Sequence, residues 1–121
     1  MDEFKLIVAG GRNFTDYQRL CSALDALRFL TLPDKTISIV CGKARGADML
    51  GFRYAAEHGL IVHEFPADWD TYGKRAGHLR NSQMAHAADG LLAFWDGESR
   101  GTANMISTMK GLGKPTKTLR Y

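Results

Sequence analysis

No stretch of this chain comes near the ~20 consecutive apolar residues that a membrane-spanning helix needs. Its first residues, Met1-Asp-Glu-Phe-Lys5, carry acid where a secretory leader carries base, and they lead straight into a strand-like run. Cysteine is nearly absent. Cys21 and Cys41 both fall in apolar segments; two such residues make no disulfide framework and fit reduced core thiols in a cytoplasmic protein. His58, His63, His78 and His86 lack metal-ligand spacing and have no cysteine pair beside them, so neither a metal nor another cofactor is expected. A complete G-x-G-x-x-G is missing, which removes the ordinary dinucleotide fingerprint. Gly42-Lys43 has neither the preceding spacing nor the following hydroxyl of a Walker A loop. No nucleophile elbow is present.

Charge of either sign is modest. Sixteen Lys and Arg against thirteen Asp and Glu leave a net +3, which permits an anionic partner without requiring nucleic acid. The 121 residues, 45% of them hydrophobic, are expected to form a single domain over residues 1–121 with a core of its own. The sequence admits a homo-oligomer without specifying one.

Glycine and arginine, by contrast, recur at three matching places. Leu6-Ile-Val-Ala-Gly-Gly-Arg-Asn-Phe14, Ile39-Val-Cys-Gly-Lys-Ala-Arg-Gly-Ala-Asp48 and Leu92-Ala-Phe-Trp-Asp-Gly-Glu-Ser-Arg-Gly-Thr102 each read as strand, loop, then helix. In a parallel sheet such loops leave the same edge and converge. Glycine lets backbone N–H groups approach a ligand, and arginine adds forked donors. Together they describe an anion site, best suited to a phosphate or nucleotide.

The periodicity supports that arrangement. Strands are expected at Phe4–Ala9, Ile37–Cys41, Leu60–Phe65, Leu91–Trp95 and Thr116–Tyr121. Between them lies a helix with the stripe Tyr17, Leu20, Cys21, Leu24 and Leu27, opened by a Thr15/Gln18 capping box. A second helix runs from Ala47 to His58, with Asp48 as its side-chain cap and Gly59 as its stop. Pro66–Gly77 reads as a long irregular stretch. The helix after it carries Leu79, Gln83, Met84 and Ala87, and the last helix runs from Thr102 to Leu112. Strict alternation means α/β: a Rossmann-like three-layer fold with a mainly parallel five-stranded sheet and about four helices. The first and fourth strands are apolar on nearly every residue and belong in the middle. The third, with His63 and Glu64, and the fifth, with Lys117 and Arg120, belong at the edges. The order is then 3-2-1-4-5, with the ligand-binding switch between strands one and four.

The candidate ligand-binding residues follow from the loops. Gly10, Gly11 and Arg12 come from the first, and Gly42, Lys43, Arg45 and Asp48 from the second, where Asp48 either caps or takes a ribose hydroxyl. Gly97, Ser99, Arg100, Gly101 and Thr102 come from the third. Ser99 or Thr102 can cap the last helix while its first N–H groups stay free for an anion. Trp69 and Lys74 sit on the long stretch, where the indole either stacks on a base or plugs the core. Arg80, one turn into its helix, is either a ligand contact or a solvated surface residue. Cys41 is either a nucleophile or core packing, with packing favoured.

At these positions the chain resembles the YspA-like, YpsA-related branch of the SLOG superfamily. The resemblance is carried by Ala9-Gly-Gly-Arg-Asn-Phe14, Gly42-Lys-Ala-Arg-Gly-Ala-Asp48, Pro66-Ala-Asp-Trp69 with Gly73-Lys74 and Ala76-Gly77, Arg80-Asn81 with Met84, and Ala93-Phe-Trp-Asp-Gly97 with Ser99 and Gly101-Thr102. More distantly it is similar to the "lonely guy" phosphoribohydrolases and the Smf/DprA proteins. The resemblance implies a Rossmann-like fold, a phage or bacterial setting, and a nucleotide or phosphorylated nucleoside as ligand, sensed or processed. The phosphoribohydrolases follow Gly-Thr with a catalytic glutamate at the third place on. Here that place holds Met105, and a thioether is no general base. A hydrolase acting on an N-glycosidic bond would need a substitute acid from another loop, Asp68 first and Asp70, Asp96 or Glu98 after it, with Arg80 matching the family's arginine. Binding is therefore expected before catalysis, with hydrolysis as the first alternative and single-stranded nucleic-acid binding as the second.

Overall fold

The structure, a computed structural model, describes residues 2–121. Strand β1 (Asp2–Gly10) leads to helix α1 (Tyr17–Ala26), β2 (Lys35–Cys41), α2 (Ala47–His58) and β3 (Val62–Glu64). A short helix, α3 (Trp69–Tyr72), precedes α4 (Ala76–Ala87), β4 (Gly90–Trp95), α5 (Arg100–Gly111) and β5 (Thr116–Arg120). The five strands form one sheet in the order β3-β2-β1-β4-β5. Every pairing in it is parallel. The polarity argument therefore placed centre and edges correctly.

Strand alternation sorts the core into two layers. Leu6 and Val8 of β1, Ile39 of β2 and Leu92 and Phe94 of β4 face α1 and α2, meeting Leu20, Leu24, Tyr54 and Ala55. Ile7, Val40, Leu91 and Ala93 face the other way, onto Met84, Ala85, Met105, Ile106 and Met109 of α4 and α5. Leu6–Val8 of β1 and Leu91–Phe94 of β4 are thus covered on both faces, which is why those runs carry no polar residue, whereas Asp2, Glu3 and Lys5 fall in the less buried start of β1.

Three local expectations need correction. The cap of α1 is Asp16, whose carboxylate accepts from the Arg19 N–H at 3.0 Å; Thr15 and Gln18 make no box, because the helix starts one residue later. Beyond α1 the chain widens into a π-helical turn, Leu27–Thr31, closed by the Leu32 N–H on the Leu27 carbonyl. That wider turn leaves Leu27 buried and puts Phe29 and Leu30 into solvent. Finally, Pro66–Gly77 is largely helical, through α3, a 3₁₀ turn at Gly73–Arg75 and the start of α4. The buried face of α4 is Ala76, Met84 and Ala85, while Leu79 and Gln83 are exposed.

Candidate functional site

The turn after β1 is held by close approach. A Cβ on Gly10 would stand 2.5 Å from the Phe94 carbonyl oxygen and 2.7 Å from Ala47 Cβ. One on Gly11 would run into the Tyr121 hydroxyl, which itself donates to Asn13 at 2.7 Å. Neither glycine has positive φ, so the turn needs them for space rather than for backbone freedom. Phe14 anchors the loop by stacking on Phe94 with ring centroids 4.5 Å apart. Arg12 is left exposed at the tip.

The loop after β2 is organised by Asp48. This carboxylate is buried, and it accepts from Gly42 N–H at 3.1 Å and Ala44 N–H at 3.0 Å. It thus turns back over the preceding loop and makes no helix cap; the N-cap residue of α2 is Gly46. Burial pushes the Asp48 carboxyl above the ordinary aspartate range, while the backbone donors of Ala44 and Gly42 and the Arg80 guanidinium pull it back. The clamp holds Lys43 at φ 62, a left-handed conformation rare outside glycine. The Lys43 ammonium meets Glu64 at 3.2 Å and lies 5.1 Å from the centre of the Phe52 ring.

Arg80 closes this loop from α4. Its guanidinium donates to the Gly42 carbonyl, and the space a Gly42 Cβ would need, 2.6 Å from Arg80 Nη1, is filled. Arg80 is half-buried and couples two elements, so it is no solvated surface residue. Cys41 sits beneath the clamp, fully buried. Burial, with the neighbouring Asp48 charge, pushes its thiol up to about 12, so it stays protonated and inert near neutral pH. Iodoacetamide is accordingly expected to leave Cys41 unlabelled in the folded protein and to modify it in denaturant. Peptide mass spectrometry reads this directly, and native-state labelling would restore the nucleophile.

In the third loop Asp96 accepts from the Glu98 and Ser99 N–H groups, both at 2.8 Å. Ser99 is the N-cap residue of α5 but makes no side-chain capping bond. Its hydroxyl meets the Thr102 hydroxyl at 3.1 Å instead. The first turn of α5 thus keeps its amide dipoles uncapped by either side chain. Gly97, with φ 88, leaves room for the Arg120 guanidinium, which faces the far side of the turn.

The three loops meet in one cleft of two joined lobes. The inner lobe, ≈ 310 Å³, is lined by Gly10, Arg12, Arg45, Asp48, Arg80, Ser99, Gly101 and Thr102 over a floor of Met84 and Met105. The outer lobe, ≈ 550 Å³, shares Arg12, Arg45, Arg80 and Gly101 and adds Gly42, Lys43, Trp69, Lys74, His78 and Arg100. Gly11, Gly97 and Asp68 line neither. Asp68 caps α3, accepting from the Thr71 N–H at 3.1 Å. Trp69 is half-exposed beside the outer lobe, its ring edge over Gly77. Among the described residues, no carboxylate lies within the 4.0 Å of an ion pair from Arg12, Arg45, Lys74, Arg80 or Arg100. Asn81 and His78 were not singled out as contacts. The helical spacing Gly77, Arg80, Asn81, Met84 puts these residues on one stripe and was the available signal.

The sequence model of the YspA, cpYpsA-related SLOG family matches residues 4–72. The chain belongs to this family. The matched span holds the first two loops and Trp69, and the SLOG assignment makes a nucleotide-related ligand the general expectation for the cleft. A curated relative, the Gene 61 protein of Mycobacterium phage D29, is 41% identical over 83 residues, which are 64% of this chain and 66% of that protein. Slightly under two thirds of that phage protein is therefore matched. Among solved structures, the C-terminal domain of a hydrogenase from Pyrococcus furiosus aligns with a TM-score of 0.44 and 12% identity, over 100% of this chain and 94% of that one. No helix of the described residues is long and apolar enough to cross a membrane.

Proposed function

We propose that this SLOG protein binds a nucleotide or nucleotide derivative, as a sensor or processing domain, with a phosphate at the first turn of α5. The observation that carries this is the uncapped α5 N-terminus at the mouth of the inner lobe, with Arg12 and Arg45 lining the same space. Amide dipoles and guanidinium forks there suit a phosphate's geometry and charge. Trp69, at the outer lobe, is placed to stack a base. Binding is favoured over hydrolysis on the acids: Asp48 is engaged by backbone donors, Asp68 caps α3 away from the cleft, and Met105 stands in the place of the phosphoribohydrolase glutamate. Arg80 would then position the second loop rather than activate a bond. A concave two-lobed cleft also suits a small molecule better than an extended single strand.

Gly101 offers a clean test. It lies in α5 with ordinary helical φ, and nothing stands within 4 Å of the Cβ it lacks. Packing gives no reason for glycine here, whereas a phosphate approaching the helix does. Gly101→Ala is expected to melt at or above the wild-type temperature, since alanine favours a helix by roughly 1 kcal/mol over glycine, yet to bind nucleoside monophosphates at least tenfold more weakly. Arg12→Ala removes a charge-assisted bond and should cost about 2 kcal/mol of affinity. Calorimetric titration across the four common bases measures both. Absence of binding by any nucleotide to the wild type, or unchanged affinity in both variants, would sink the proposal.

A further inference from the structure

We infer that the cleft takes a nucleotide carrying two phosphoryl groups, one at the first turn of α5 and a second against Lys74 and Arg100 in the outer lobe. This rests on the nucleotide-binding proposal and adds the number and placement of the charges. Six cations line the joined lobes, and five of them, Arg12, Arg45, Lys74, Arg80 and Arg100, have no carboxylate within ion-pair distance among the described residues. The remaining lining lysine, Lys43, is already paired with Glu64. Against the five stands one lining carboxylate, Asp48, whose oxygens are taken up by the Gly42 and Ala44 N–H groups.

A single phosphate monoester carries roughly −1.5 to −2 near pH 7. It would neutralise less than half of that positive charge. The cations are also spread out. Arg12, Arg45 and Arg80 line both lobes, but Lys74 and Arg100 line the outer lobe alone. In the α5 turn that receives the first phosphate, Ser99 and Thr102 line the inner lobe alone, Gly101 lines both lobes, and the Arg100 side of the turn lines the outer one. One phosphate at α5 would leave Lys74 and Arg100, both exposed along the outer lobe, without an anion. A second phosphoryl group, either linked through a pyrophosphate or carried at the other end of the ribose, fills that place.

The experiment titrates one nucleoside as its 5′-monophosphate, its 5′-diphosphate and its 3′,5′-bisphosphate. The wild type is expected to bind at least one of the two-phosphoryl forms ten or more times tighter than the monophosphate. In the Lys74→Ala/Arg100→Ala double variant the affinity for the two-phosphoryl forms should fall to that for the monophosphate, so that the preference vanishes. Lys110→Ala/Lys117→Ala removes the same charge from exposed positions outside the cleft, and the preference should survive there. Equal affinity for all three ligands, or a preference lost equally in both double variants, overturns the inference and leaves the proposed function standing. Failure of all three ligands to bind, repeated with the other three common bases, overturns both.

Discussion

Gly46→Ala is expected to destabilise the protein by about 4 kcal/mol. Two costs combine. Gly46 adopts φ 81 and ψ −136, a region that L residues occupy only under strain of order 1–3 kcal/mol. Its missing Cβ would also collide with the Gly11 carbonyl oxygen and stand 2.9 Å from Arg12 Cα. Backbone cannot swing aside as a flexible side chain can, so the first loop would have to move, and with it Phe14 on Phe94. For a chain of this length the loss corresponds to a melting temperature lower by roughly 15 °C. Gly59 is the control: its φ is also positive, at 66, but nothing lies within 4 Å of a Cβ there. Gly59→Ala should therefore lose only about 1 kcal/mol. Equal losses in the two variants would mean that the first two loops are not in contact.

Asp48→Ala should lose about 3 kcal/mol and, unlike Gly46→Ala, should impair binding even where the chain is fully folded. The carboxylate satisfies two backbone donors, those of Gly42 and Ala44. Leaving buried N–H groups unpaired costs roughly 1–3 kcal/mol each, partly offset because a buried carboxylate no longer has to be desolvated. Without its clamp, Lys43 has no reason to stay at φ 62, and Ala44 and Arg45 drift from the cleft. Nucleotide affinity should fall about tenfold at temperatures well below melting. Asp48→Asn retains one acceptor oxygen and should fall between alanine and the wild type in both measurements. Chemical denaturation gives the stability, and calorimetry below the transition gives the affinity. A variant that loses stability but binds normally would make Asp48 a core residue with no bearing on the loop.

Much of this architecture is legible in the chain because it depends on composition along single strands. Unbroken apolar runs at Leu6–Val8 and Leu91–Phe94 require cover on two faces. His63, Glu64, Lys117 and Arg120 do not permit it, and sheet order follows. The loops converge because all strands are parallel, and that too could be anticipated. What escaped are interactions that cross the chain. Arg80 reaches Gly42 over 38 residues, and nothing local to α4 marks that arginine as different from Arg75, just before the helix. Asp48 has the position of a helix-start acid, so capping is the natural expectation, and only burial reveals that it faces the loop behind it. Lys43 looks like a phosphate ligand until Glu64, on the edge strand, is seen to hold it. The 66–77 stretch reads as irregular because glycines at 73 and 77 and a proline at 66 outweigh its weak helical pattern. In the fold, Gly73 marks the break between two helical pieces and Gly77 makes room for Trp69.

The central position of β1 has a consequence for how the chain acquires its shape. β1 is paired on one side with β2 and on the other with β4, and the Lys5 N–H meets the Asp89 carboxylate across 84 residues of sequence. A ribosome therefore releases the central strand long before its second neighbour has been made. Until β4 emerges, one edge of β1 is unsatisfied, and closing so long a loop is slow as well as entropically costly. The half-made sheet is thus the state most open to aggregation, and the rate at which residues 90–95 arrive governs when the cleft first exists.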